Sequence, residues 1–133
     1  VDFCKENDLS NVKFVGGRGD VPSILHNIDA FVYSSASDTF GIAVVEAIAA
    51  GVPVLVNDLE VFEEISNNGE MVTLYKTGDE YDLADKVVLF LSNISHFKQI
   101  AQKSAEKVKR NYSIQTHIDN LEVAYSSLYN HKD

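Results

Sequence analysis

The chain holds one cysteine, two prolines and no apolar run approaching the ~20 residues that a membrane-spanning helix needs. A lone Cys4 cannot close an internal disulfide, and His26, His96, His117 and His131 are too scattered to form a zinc-type cluster with it. No metal site is expected. The charged start and apolar stretch of a signal peptide are missing as well, so the expected location is the cytoplasm. Positive charge is scarce: 11 Lys and Arg against 20 Asp and Glu give a formal net charge of −9. A nucleic-acid groove needs a basic face, and an anionic membrane would repel such a chain, so neither partner is expected. Five of the few basic residues, Lys98, Lys103, Lys107, Lys109 and Arg110, read as the solvated face and C-terminal end of one helix, where cations suit the helix dipole.

What the chain does have is the makings of one core: 133 residues, 45% of them hydrophobic, with charge interspersed. Short β-rich runs at Val12–Val15, Ala30–Tyr33, Val54–Val56 and Met71–Leu74 alternate with helical patterns at Ser23–Ile28, Ile42–Ala50 and Val61–Ile65. The two middle runs are apolar on consecutive residues, which implies burial on both faces and a parallel sheet covered by helices. The expected class is α/β, a doubly wound, Rossmann-like parallel sheet of about four strands. From Thr77 the pattern becomes helical only. Thr77 to Glu80 reads as a capping box ahead of Leu83, Ala84, Val87, Val88 and Leu91; Phe97, Ile100, Ala101, Ala105 and Val108 repeat the spacing; Ser113 caps a last stripe of Ile114, Ile118, Leu121, Tyr125 and Leu128. Val1 to Leu9 reads as a helix end feeding the first strand, so one or two βα units are expected upstream, with residues 1–133 forming a partial domain.

Ligands of such sheets gather at the carboxyl ends of the strands, here the loops Gly16–Asp20, Ser34–Phe40 and Asn57–Glu60. The middle loop is the richest. It carries Ser34, Ser35, Ser37, Asp38 and Thr39, and delivers Gly41 to a helix start whose free N–H groups suit a phosphate. Within that helix Glu46 is the lone carboxylate among Ile42, Ala43, Val44, Val45, Ala47, Ile48, Ala49 and Ala50. It is therefore expected to be buried and to need a partner, and the two adjacent hydroxyls of a ribose would serve. The alternatives are an N-cap role for Asp38 or Thr39 and an edge-exposed Glu46. The Gly16-Gly17-Arg18-Gly19 loop has room for a nucleotide base or phosphate, but it lacks the GxGxxG spacing and reads equally as a plain βα turn. Glu60, Glu63 and Glu64 simply suit a helix start.

Ser37-Asp38-Thr39-Phe40-Gly41-Ile42 through Glu46-Ala47, followed by Ala50-Gly51-Val52-Pro53-Val54, resembles the E-x7-E signature of retaining, nucleotide-sugar-dependent glycosyltransferases with the two-Rossmann-domain (GT-B) fold, the glycosyl transferases group 1. Asn11 to Gly16 is similar to that family's "NVxFxG" strand, and Asp29-Ala30 with Tyr33-Ser34 to its "aDvfvxPS" strand. Asn111-Tyr112-Ser113 matches the turn before its last helix. The resemblance implies the C-terminal, donor-binding domain. Asp38 then matches the first signature carboxylate, the catalytic position contacting the transferred sugar, and Glu46 the second, which binds the ribose diol. The backbone of Phe40, Gly41, Ile42 and Ala43 would face the sugar hydroxyls and diphosphate, with Gly16, Gly17 and Arg18 near the base. Asp38 is one methylene shorter than the usual Glu, and Thr39 stands where Gly or Pro is frequent.

The resemblance further implies hexosyl transfer from a nucleoside diphosphate sugar to a glycan, lipid or small acceptor. It implies no cofactor and an N-terminal acceptor domain as partner. The family's Arg/Lys phosphate clamp precedes the "NVxFxG" strand, so this polypeptide alone is expected to be inactive. A nucleotide-sugar epimerase of the same fold and a non-catalytic interaction or regulatory module are the rival readings. The epimerase would need acid/base groups that the sequence does not offer.

Overall fold

The computed structural model describes residues 2–129. Three strands, β1 (Phe31–Tyr33), β2 (Val54–Asn57) and β3 (Thr73–Tyr75), form one parallel sheet in the order β1-β2-β3. Among the described residues seven helices accompany them: α1 (Asp2–Glu6), α2 (Val21–Leu25), α3 (Ile42–Ala49), α4 (Glu60–Ile65), α5 (Glu80–Ser92), α6 (Ile94–Asn111) and α7 (Ile114–Tyr129). The register pairs Tyr33 with Val56 and Asn57 with Tyr75, so all three strands end along one edge. That α/β architecture is the one read from the sequence.

The central strand explains its own composition. Val54, Leu55 and Val56 are all at most 2% exposed, as a strand covered on both faces requires. Alternation turns Leu55 and Asn57 to the face opposite Val54 and Val56. On the Val54/Val56 side the core gathers Val44, Ala47 and Ile48 of α3, Phe62 and Ile65 of α4 and Val108 of α6. The helices α3 and α6 lie along each other. Their close approach follows from small residues: α6 buries Ala101, Ser104, Ala105 and Val108 on one stripe, and the Ala105 Cβ would sit 3.9 Å from a Cβ at Gly51. The basic residues Lys98, Lys103, Lys107, Lys109 and Arg110 occupy the exposed face of α6, with Lys109 and Arg110 in its last turn.

Four expectations are corrected. The run Val12–Val15 is not a strand: Val12, Phe14 and Val15 are exposed, and the sheet has three strands instead of four. An apolar extended segment joins a sheet only where a neighbour's free N–H and C=O groups line it, and among the described residues this one pairs with no strand. Burial on both faces holds for β2 but not β1, where Val32 is 51% exposed. The cap of α5 is Asp79, whose side chain accepts from the Asp82 N–H, while Asp82 reaches back to the Lys76 N–H; Thr77 is engaged elsewhere. In α5 the inward residue is Phe90, stacked on Phe97 at 4.4 Å, and Val88 and Leu91 face outward. Ser113 does cap α7 through the Thr116 N–H.

Candidate functional site

Three loops meet where the strands end. The one after β1 runs from Ser34 to Gly41 and is fixed at successive points. At its root the Tyr75 hydroxyl donates to the Tyr33 carbonyl, 3.2 Å. Next, the Asn57 amide grips the backbone of Ser35 on both sides, its Oδ1 accepting from the Ser35 N–H at 3.1 Å and its Nδ2 donating to the Ser35 carbonyl at 2.9 Å. The Ser35 hydroxyl then donates to the Ser37 carbonyl, 2.7 Å. The loop thus carries Asp38 on a bonded frame.

Asp38 Oδ1 accepts from the N–H groups of Phe40 (3.0 Å) and Gly41 (2.7 Å), and Oδ2 from the Tyr33 hydroxyl (3.1 Å). The Phe40 and Gly41 amides, then the Tyr33 hydroxyl, hold the Asp38 carboxyl below the usual carboxylate range. The same bond to Asp38, helped by burial, raises the Tyr33 phenol above its ordinary value, keeping it protonated as a donor. Of the two roles left open for Asp38, the capping geometry is the one present, though the N-cap residue itself is Gly41.

Gly41 is required by the local geometry. Its φ is +68°, and a Cβ would meet the Phe62 ring at 2.8 Å and the Ile65 side chain at 3.1 Å. Its carbonyl accepts from the Val44 and Val45 N–H groups, opening α3. Among the described residues, the Ile42 and Ala43 amides have no acceptor. The four-amide set expected from the sequence therefore divides into two taken by Asp38 and two free at the helix start.

Glu46 is exposed, not buried. The reason is geometric: Val44, Ala47 and Ile48 form the inward stripe of α3, and Glu46 falls between them on the outer side. Arg18 forks onto Asp20 through Nε and Nη2 at 2.7 and 2.6 Å, and this partner lowers the Asp20 carboxyl. Gly16, Gly17 and Arg18 are all exposed, with Gly16 at φ +66°. A cleft of about 400 Å³ opens between the Ala36–Thr39 segment and the start of α4, bordered by Asp38, Leu59 and Glu60. Phe40 meets Tyr112 edge to face at 6.0 Å and lines a separate cavity with it. No three His, Cys, Asp or Glu side chains gather as a metal site among the described residues, and no helix there is long and apolar enough to cross a membrane.

Sequence reasoning named the Asn57–Glu60 loop and Thr77 but missed the bonds made by Asn57, Asp58, Thr77, Tyr33 and Tyr75. Asn57 is 1% exposed, and its Nδ2 also donates to Thr77 Oγ1 at 2.9 Å. Thr77 in turn donates through both hydroxyl and N–H to Asp58 Oδ1, each at 2.7 Å, and these bonds lower the Asp58 carboxyl. The available signal was a polar residue ending a strand that is otherwise wholly apolar.

The family model for glycosyl transferases group 1 matches residues 4–110. The phosphatidyl-myo-inositol mannosyltransferase of Mycobacterium leprae is 33% identical over 105 residues, 77% of this chain and 28% of that protein. An N-acetylgalactosaminyltransferase of Campylobacter jejuni that acts on N,N'-diacetylbacillosaminyl-diphospho-undecaprenol is 32% identical over 95 residues, 71% of this chain and 25% of its own length. The chain thus spans about a quarter of these relatives. Among solved structures, Anabaena HepE in complex with UDP and glucose superposes with a TM-score of 0.85 at 24% identity, covering 95% of this chain and 35% of HepE. The C-terminal domain of LpcC, a glycosyl transferase group 1 family protein from Francisella tularensis, gives 0.70 at 24% identity, covering 85% of this chain and 60% of that one. With the family model covering most of its length and these relatives beside it, the chain belongs to the glycosyl transferases group 1 family.

Proposed function

We propose that this chain is part of the C-terminal, donor-binding domain of a retaining glycosyltransferase, which moves a hexosyl group in the cytoplasm from a nucleoside diphosphate sugar to a glycan, lipid or small acceptor. The observation that carries the reading is the start of α3, where the unpaired Ile42 and Ala43 amides lie beside an Asp38 held in its anionic form. Amides at a helix start donate to a diphosphate without reorganising, and so stabilise the charge that grows on this leaving group. Asp38 is placed to meet the sugar, and the exposed Glu46 is free to accept from both ribose hydroxyls. Gly16, Gly17 and Arg18 are assigned to the base side. The family relation supports this division of labour, and HepE, a structural neighbour, is solved with UDP and glucose. No cofactor is assigned. The acceptor would be held by an N-terminal domain that this chain does not include, so the isolated chain is expected to bind donor without transferring sugar.

An NMR titration of the labelled chain with UDP, GDP and ADP tests the reading, because shift changes report even millimolar binding, worth about −4 kcal/mol. Changes centred on Asp38 to Glu46 and Gly16 to Arg18 are expected, and their size ranks the base. Binding elsewhere, or silence for all three at millimolar concentration, would count against a donor site in this chain.

A further inference from the structure

Asn57 makes three hydrogen bonds with one buried amide, and each end of the amide is used in the sense its chemistry allows. Oδ1 accepts from the Ser35 N–H, and the two Nδ2 protons go to the Ser35 carbonyl and Thr77 Oγ1. Thr77 can accept because its own proton goes to Asp58. The result is a directional chain of donors, from the Ser35 N–H to Asn57 Oδ1, from Asn57 Nδ2 to Thr77 Oγ1 and from the Thr77 hydroxyl to Asp58, spanning the ends of β1, β2 and β3. Bonds ordered this way polarise one another and hold their geometry.

The gripped residue is the informative part. Ser35 lies three positions before Asp38, in a loop that follows a three-residue strand and contributes no buried side chain. Asn57 contacts the loop's backbone instead of packing beneath it. In effect, it continues the β1–β2 ladder by one step, with a side chain standing in for a strand. Without it, the loop keeps the Tyr33 hydroxyl on Asp38, the local Ser35–Ser37 bond and the Asp38 bonds to Phe40 and Gly41, but the backbone at Ser35 loses its tie to the end of β2.

We infer that Asn57 is a positioning residue of the donor site: by clasping Ser35 it fixes the Ser35–Asp38 loop, and through it the bonds from Asp38 to the Phe40 and Gly41 amides. The inference rests on the donor reading for its consequence, which is discrimination of the sugar, but not for the clasp itself. Asn57 touches no reacting group. Loss of the clasp should therefore cost recognition of the hexose while sparing recognition of the nucleotide.

The test uses the whole chain with two variants, Asn57→Ser and Thr77→Val, so that one remains if the buried substitution prevents folding. Amide hydrogen exchange without ligand is read first. Exchange at Phe40 and Gly41 should rise about tenfold in either variant while the amide of Val108, on the buried stripe of α6, is unchanged, as expected for a local opening. An equal rise at all three amides would reduce Asn57 to a general contributor to stability, and no rise at Phe40 and Gly41 would remove the clasp; either result overturns the inference. Affinity for UDP and UDP-glucose is read second. The variants should keep UDP binding and lose the sugar-dependent shift changes at Asp38; parallel weakening of both ligands overturns the positioning role. If the parent chain binds neither ligand, the donor reading fails by itself, and the exchange data still decide the clasp.

Discussion

Asp38 Oδ1 lies 2.7 Å from the Gly41 amide nitrogen, so the carboxylate of the signature loop fills a donor at the threshold of the helix it precedes. This divides the labour within the loop: the side chain satisfies Phe40 and Gly41, and the next two amides have no acceptor among the described residues. A donor sugar that engages Asp38 would compete with these internal bonds.

Acid should expose this arrangement. Asp38 and Asp58 both have carboxyls held below the ordinary range by N–H and hydroxyl donors. A carboxylate whose folded-state pKa is depressed adds stability that is fully present above its unfolded value, about 3.9 for Asp, and disappears as pH falls through the folded value. Urea midpoints at pH 7 and pH 3 should therefore fall further in the parent chain than in Asp38→Asn or Asp58→Asn, which have no proton to take up. An identical pH dependence in all three would remove both groups from the acid sensitivity.

Gly41→Ala should destabilise the chain by roughly 2–4 kcal/mol, combining the cost of a left-handed conformation with overpacking against the fully buried Phe62. Gly41→Asn separates the two terms, because Asn tolerates positive φ but still carries the Cβ that meets the ring at 2.8 Å. Denaturant unfolding of both variants checks this. If Asn restores most of the stability, backbone conformation dominates, and the contact with Phe62 is easily relieved.

The parallel sheet was legible because β2 announces itself: consecutive Val54, Leu55 and Val56 leave no polar face, and Gly51 and Pro53 mark the turn before it. Val12–Val15 misled for the same reason in reverse, since a strand-like composition does not supply a neighbour to pair with. The signature loop was visible as a cluster of polar residues ahead of Gly41, but its anchoring was not. Asn57 and Ser35 are far apart in sequence, and only the parallel register brings the end of β2 alongside the loop after β1. Glu46 was misjudged because every neighbour on α3 is apolar, whereas burial follows the stripe Val44, Ala47 and Ile48.

The packing seam and the surface should answer very differently to truncation. Ile48→Ala removes a side chain 1% exposed from the core shared by α3, α4 and α6, and is expected to cost about 2–5 kcal/mol. Lys98→Ala breaks a 2.6 Å ion pair with Asp29 whose two side chains are 47% and 82% exposed, and should hardly move the midpoint. Thermal unfolding of the two variants at low and moderate salt provides the comparison. A large loss for Lys98→Ala that disappears with salt would mean that this pair holds α6 against the loop before β1.

Glu46 separates stability from binding most cleanly. As an exposed residue on the outer side of α3, it can be replaced by Ala with a stability change within about ±0.5 kcal/mol, and Ala suits a helix interior well. If its carboxylate accepts from the ribose hydroxyls, the same substitution removes two charge-assisted hydrogen bonds and should weaken UDP binding about tenfold or more. A 2′,3′-dideoxy nucleotide gives the complementary measurement: lacking both hydroxyls, it should bind the parent chain and Glu46→Ala equally. Weakened UDP binding together with equal binding of the dideoxy compound would locate the loss at the ribose. Unchanged UDP affinity in Glu46→Ala would leave this carboxylate a solvated helix residue and shift the ribose contact to another part of the cleft.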